Sequence, residues 1–172
     1  MRSFIVRKEP YKVFFIKAAA VLALIICAGA AFMSRYQFGY DPQLYKCIPE
    51  YSIYLIDKKD TKLVKGNIYA FQSEGMKPFF KNGVTMLKYL RGVPGDEVEI
   101  NSGTEILVNG DRQGIGLRYA EKLGVGPEAF IGKTILQDEN YWFMGTSSFS
   151  FDSRYWGTVK KQQVIGRAYP IF

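Results

Sequence analysis

The sequence has no histidine among its 172 residues. Catalytic triads and metal sites built on imidazole are thereby excluded. Cysteine is nearly absent as well. Cys27 and Cys47 are the whole supply, too few for a structural zinc site or a disulfide-stapled scaffold. The 17 glycines and 7 prolines fall short of collagen or linker levels, and there is no internal repeat or low-complexity tract. Neither a metal nor an organic cofactor is expected. What remains is one ordinary domain with an appendage. At 48% hydrophobic, 16% aromatic and 23% charged, the chain can bury a core and is not disordered.

The net charge of +7 invites a nucleic-acid reading, but its distribution opposes one. Arg2, Arg7, Lys8, Lys12 and Lys17 stand against Glu9 alone in the first 17 residues. A basic tail ahead of an apolar run is the pattern of membrane topology, and no nucleic-acid partner is expected. Ala18 to Ser34 is uncharged and reaches roughly 25 Å as a helix. Val13 to Ile16 lengthen the run, and Lys17 can snorkel to the headgroups. Residues 1–12 therefore read as a cytoplasmic basic tail, 13–34 as one transmembrane anchor and 36–172 as an exported domain. A cleaved signal peptide is the competing reading, since Ala28-Gly29-Ala30 fits a cleavage site. A lipoprotein reading at Cys27 is poor, because bulky Ile26 precedes it. Tyr36, Phe38, Tyr40 and Tyr45 fit either an interfacial belt or the first strand of the next domain.

Beyond residue 45 the pattern is β. Short runs rich in β-branched and aromatic residues lie at 52–57, 67–71, 85–90, 97–100, 105–109 and 141–145. Turn signals such as Pro94-Gly95-Asp96 and Asn109-Gly110 separate them. Residues 112–136 read as a Gly-rich loop with one short helical turn, and 163–172 as a closing strand. The expected class is mainly β: a barrel or folded-over sheet behind a single transmembrane helix, with 97–140 as a small insertion or β-ribbon. Fold alone does not separate an enzyme from a binding module.

Three separated segments carry more. The first is Lys46-Cys47-Ile48-Pro49, followed by Ser52-Ile53-Tyr54. The second runs from Lys88 through Gly92-Val93-Pro94-Gly95-Asp96. The third is Ser150-Phe151-Asp152-Ser153-Arg154-Tyr155-Trp156-Gly157. In this order, behind a membrane anchor, they resemble the signal peptidase I family of Ser-Lys peptidases, most of all its TraF-type branch from plasmid conjugation. Lys65-Gly66-Asn67-Ile68-Tyr69-Ala70-Phe71 is similar to a family strand, with Asn67 where Asp is usual. The likeness spans residues 13–172 and implies a signal-peptidase-like β domain.

The resemblance puts Cys47 where the family has its nucleophilic serine and Lys88 at the general base. It gives Ser150 a hydrogen bond to the lysine, and Asp152 and Arg154 a role in holding the site's architecture. Pro49, Gly92, Pro94, Gly95 and Asp96 belong to the structural motifs. Ser52, past the proline, is the weaker candidate for nucleophile. The resemblance also implies a membrane-anchored endopeptidase of the bacterial inner membrane, with its N-terminus in the cytoplasm and its catalytic domain in the periplasm. Its partners would be a precursor protein such as a conjugative pilin, the membrane and type IV secretion components. Residues 97–149 leave little room for the insertion common in housekeeping enzymes. A catalytically inactive, membrane-anchored assembly factor is the alternative from another class.

The residues themselves bear on these roles. A lysine base must be neutral, and an ordinary lysine has a pKa of about 10.4, so about 3 units must come from its surroundings. On a strand, Met86, Lys88 and Leu90 share one face, an apolar row that would supply this. The bland alternative is a lysine on a solvent edge. A thiol, at about 8.5, needs less help than a hydroxyl. Cys47 could equally be a small inert hydrophobe, and Asp152 with Arg154 a surface pair worth under about 1 kcal/mol. Phe79-Phe80, between Lys77 and Lys81, read as membrane-dipping or as loop aromatics packed on the sheet.

Overall fold

A computed structural model describes residues 10–172. The first nine residues of the basic tail lie outside the described residues. Two units are separate, the N-terminal helix and Gln37–Phe172.

Helix α1 (Tyr11–Arg35) starts directly after Pro10, whose fixed φ suits a helix entrance. It spans about 37 Å at 1.5 Å per residue. Its mean hydropathy is 2.5 over the most apolar window and none of its residues is buried. It is long and apolar enough to cross a membrane. Arg35 sits in the last turn, where the helix dipole favours a cation.

The second unit is mainly β. In chain order come β1 (Tyr36–Tyr40), β2 (Ile53–Asp57), β3 (Ile68–Gln72), β4 (Thr85–Gly92), β5 (Glu97–Ile100), β6 (Glu105–Val108), β7 (Asp111–Ile115), β8 (Gly132–Ile135) and β9 (Asn140–Met144). The short helix α2 (Ser153–Trp156), β10 (Val159–Lys160) and β11 (Val164–Pro170) follow. Seven strands form one sheet in the order β1-β2-β11-β3-β4-β9-β10, and four form another in the order β7-β6-β5-β8. The expected loop over 112–136 is instead β7, two 3-10 turns and β8. Asn109 and Gly110 both have positive φ, the two-residue hairpin turn that matches strand twist.

Alternation decides what each strand buries. In β4, Met86, Lys88, Leu90 and Gly92 are buried while their neighbours are half-buried. Met86 and Leu90 join Tyr69, Phe71 and Phe143 in one core cluster. The opposite face of β3 gives Ile68 and Ala70 to a second cluster with Tyr54, Ile56 and Ala168. Strand β9 serves two cores: Phe143 enters the first, while Trp142 and Met144 pack with Val98, Ile100, Ile106 and Val108 of the smaller sheet.

The larger sheet curls on itself. Strands β1 and β4 are separated by three others in sheet order, yet a Cβ on Gly39 would lie 3.3 Å from Ile56 and 3.6 Å from Leu87. A second feature matters beside this. Strand β4 pairs with β3 over Thr85–Tyr89, but with β9 only from Tyr89 onward. Among the described residues, no strand covers the β9-side edge of residues 85–88.

Candidate active site

Cys47 sits in the loop from β1 to β2 and is half-buried. Ile48 beside it is buried in the core and anchors the loop. Two contacts hold the loop's shape. The Lys46 ammonium donates to Ser52 Oγ, and the amides of Thr146 and Ser147 donate to the Cys47 carbonyl at 3.0 and 3.2 Å. The Cys47 N–H itself makes no hydrogen bond among the described residues. Ser52 is engaged by Lys46 and does not line the pocket that contains Cys47.

Lys88 is 1% exposed, between Met86 and Leu90 and opposite Tyr69 on β3. This is the apolar row expected from the strand pattern, not a solvent edge. Among the described residues it has no ion pair and no side-chain hydrogen bond. Lys88 and Cys47, distant in sequence, line one pocket of about 220 Å³. Residues 40–43 form one wall, residues 84–88 the other, and Phe80 contributes as well. The pocket thus lies along the uncovered edge of β4.

The third segment braces this arrangement from behind. Arg154 Nε and Nη2 donate to the two Asp152 carboxylate oxygens at 2.7 and 2.8 Å, with side chains 3% and 0% exposed. This is no surface pair. Burial works against the Arg154 charge, and the Asp152 carboxylate outweighs it, so the guanidinium pKa is raised. Arg154 also donates to the carbonyls of Ser150 and Gly116, and Asp152 accepts from the Gly145 N–H at 3.1 Å. The pair therefore fixes the segment 145–150, whose amides in turn hold Cys47.

Ser150 is fully buried, but its hydroxyl makes no hydrogen bond among the described residues. The bond to Lys88 implied by the family resemblance is not formed. A buried hydroxyl without a partner costs about 1–3 kcal/mol, and such groups tend to mark functional sites.

The Gly92-to-Asp96 box is architectural. Asp96 accepts from the Val93 N–H, from Asn109 and from Lys65 at 2.8, 2.7 and 3.2 Å. Burial alone would raise its pKa, but these donors hold its carboxyl below the ordinary range. Gly95 has a φ of +87° and turns the chain here. Pro49 and Pro94 lie in the turns after Cys47 and before Gly95.

Sequence reasoning missed several contributors. A Cβ on Gly145 would fall 2.4 Å from Ser150 Oγ and 2.5 Å from the Cys47 carbonyl oxygen. Only glycine lets Ser150 and the Cys47 loop come this close. In the sequence it reads as the last residue of the β run 141–145. Asp41 in the pocket wall was also missed. Its carboxylate acts at a distance on buried Tyr54, whose phenol pKa is pushed up first by burial and then by Asp41. Tyr45, two residues before Cys47, stacks on Phe149 at 4.8 Å. Phe79, still exposed, packs on Phe151 at 4.5 Å and Phe80 lies 6.1 Å from it.

Comparison with known proteins places this geometry in context. The model of one protein family, described as "Signal peptidase, peptidase S26", matches residues 11–172. A probable signal peptidase I-2 from Synechocystis sp. is 33% identical over 88 residues, which is 50% of this chain and 37% of that protein. The match thus spans little more than a third of the relative's length. The crystal structure of a signal peptidase I from Enterococcus faecalis V583 is 25% identical, covering 63% of this chain and 98% of that one, with a TM-score of 0.41.

Proposed function

The chain belongs to the signal peptidase family, peptidase S26, and from that membership we propose that it is a membrane-anchored endopeptidase working through a Cys47-Lys88 dyad. The observation that carries this reading is the shared pocket: a half-buried thiol together with a buried lysine that has no carboxylate partner among the described residues. A base must be neutral to accept a proton, and burial in an apolar row disfavours a charged amine.

The substrate adds as an extended strand along residues 85–88 of β4, across from residues 40–43. Cys47 Sγ attacks the scissile carbonyl carbon while Lys88 Nζ takes the thiol proton. The carbonyl oxygen becomes anionic and is met by the uncommitted Cys47 N–H. Collapse breaks the C–N bond, and the departing amine takes the proton from Lys88. A thioester remains. Water then attacks, passing its proton through Lys88 to the sulfur, and a carboxylate is released. An amine in place of water forms a new peptide bond by the same proton path.

Thioesters favour amines over water more than oxygen esters do, so Cys47 suits ligation of trimmed ends. With the TraF-like segments, this supports a conjugative pilin as the precursor and cyclisation as an outcome, within a type IV secretion assembly. The positive-inside pattern supports a cytoplasmic N-terminus and a periplasmic catalytic domain.

The test is to trap the intermediate. The full chain in detergent is mixed with a precursor peptide and quenched in acid, and the Cys47 peptide is weighed. The expected result is an added mass equal to the acyl fragment, removed by neutral hydroxylamine and absent in Cys47→Ala. An adduct on Ser52, or none while product forms, overturns the dyad.

A further inference from the structure

Among the residues that line the pocket, the only formal charges are Asp41 and Lys88. Lys88 is 1% exposed whereas Asp41 is half-buried, so Asp41 is the charge that the pocket presents to a ligand. Its Oδ1 is committed, accepting from the Gln43 N–H at 3.0 Å, and its backbone N–H donates to the Ser52 carbonyl at 2.9 Å. The carboxylate is thus held in place at the pocket wall. No cationic side chain pairs with it among the described residues, which leaves Oδ2 without a protein partner.

A peptide strand laid in this groove displaces water from that carboxylate. An anion stripped of water and left unpaired is costly, and a cation restores the balance. An acidic substrate residue at the same place adds repulsion, so the discrimination has an attractive and a repulsive part. We propose that Asp41 is a specificity-determining residue that selects precursors with a lysine or arginine close to the scissile bond. This rests on the groove being the substrate site. It adds a charge criterion that the dyad itself does not contain.

Quenched peptides with small residues flanking the cut test it. Lys or Glu is placed in turn at each of four positions before and three after the scissile bond, and the full chain is assayed in detergent. At one position the wild type should cut the Lys peptide about tenfold better than the Glu peptide in kcat/KM, the scale of one charge-assisted contact. Asp41→Asn keeps the oxygen that accepts from Gln43 and removes only the charge. In that variant the Lys-to-Glu ratio should fall to about one, and in Asp41→Lys it should invert. Each ratio is internal to one variant, so a general loss of activity cancels. A wild-type ratio near one at every position, or a preference that persists in Asp41→Asn, overturns the assignment while leaving the dyad intact. Failure of the wild type to cut any peptide overturns the substrate-groove reading and this inference with it.

Discussion

At the scale of single residues, the site turns on which groups are free. The Lys88 amine and the Cys47 N–H lack hydrogen-bond partners among the described residues, and Ser150 Oγ is buried unbonded. Lys88→Met keeps the apolar stem of the side chain and removes the base, so it should lower cleavage about 10²- to 10⁴-fold with little change in thermal midpoint. Cys47→Ser should cut more slowly and shift products from ligated to hydrolysed, as product masses would reveal. Arg154→Met leaves Asp152 buried and unpaired, and denaturant titration should show a loss of about 3–5 kcal/mol. Much of this was legible in sequence. The alternation Met86-Lys88-Leu90 foretold a buried lysine, because strand geometry is local. Asp41 was not legible, because its place in the pocket depends on a sheet curling until β1 meets β4. The burial of Asp152 with Arg154 was equally hidden, since any Asp-x-Arg spacing also suits a surface.

At the scale of elements, the short end of β9 creates the groove. Strand β9 leaves β4 uncovered below Tyr89, and Gly145 follows at once to bring Ser150 and Cys47 together. Gly145→Ala must push Ser150 or the Cys47 loop away. It should cost about 1–3 kcal/mol in stability and lower kcat more than it raises KM. The Gly92-to-Asp96 turn sets the other end of β4. Asp96 is held below its ordinary pKa by hydrogen bonds. Its stabilisation is therefore complete above the unfolded value of about 4 and is lost as pH falls through the lower folded value. Asp96→Asn should be less stable at pH 7 and show a flatter decline in thermal midpoint below pH 4. Of the elements that sequence reasoning missed, which also include α2 and the two-residue β10, β7 and β8 share a physical cause. They are sheet edges with mostly exposed side chains, so neither carries the apolar alternation by which a strand is recognised. The core strands β2, β3, β4, β5, β6, β9 and β11, by contrast, were expected within one or two residues of their observed bounds.

At the scale of the whole molecule, one apolar helix is followed by a curled β domain with three packed clusters. The helix was plain in the sequence, because a long uncharged run has one economical solution in lipid. With that helix retained, the chain should stay in the membrane pellet after alkaline carbonate extraction, and alkaline phosphatase fused after Phe172 should be active. The most direct measurement is precursor processing in membranes by the wild type, Cys47→Ala and Lys88→Met, with every product weighed. A Cys47-Lys88 peptidase requires that both variants leave the precursor uncut while the wild type yields products of defined mass. Processing at the wild-type rate by Cys47→Ala would contradict it.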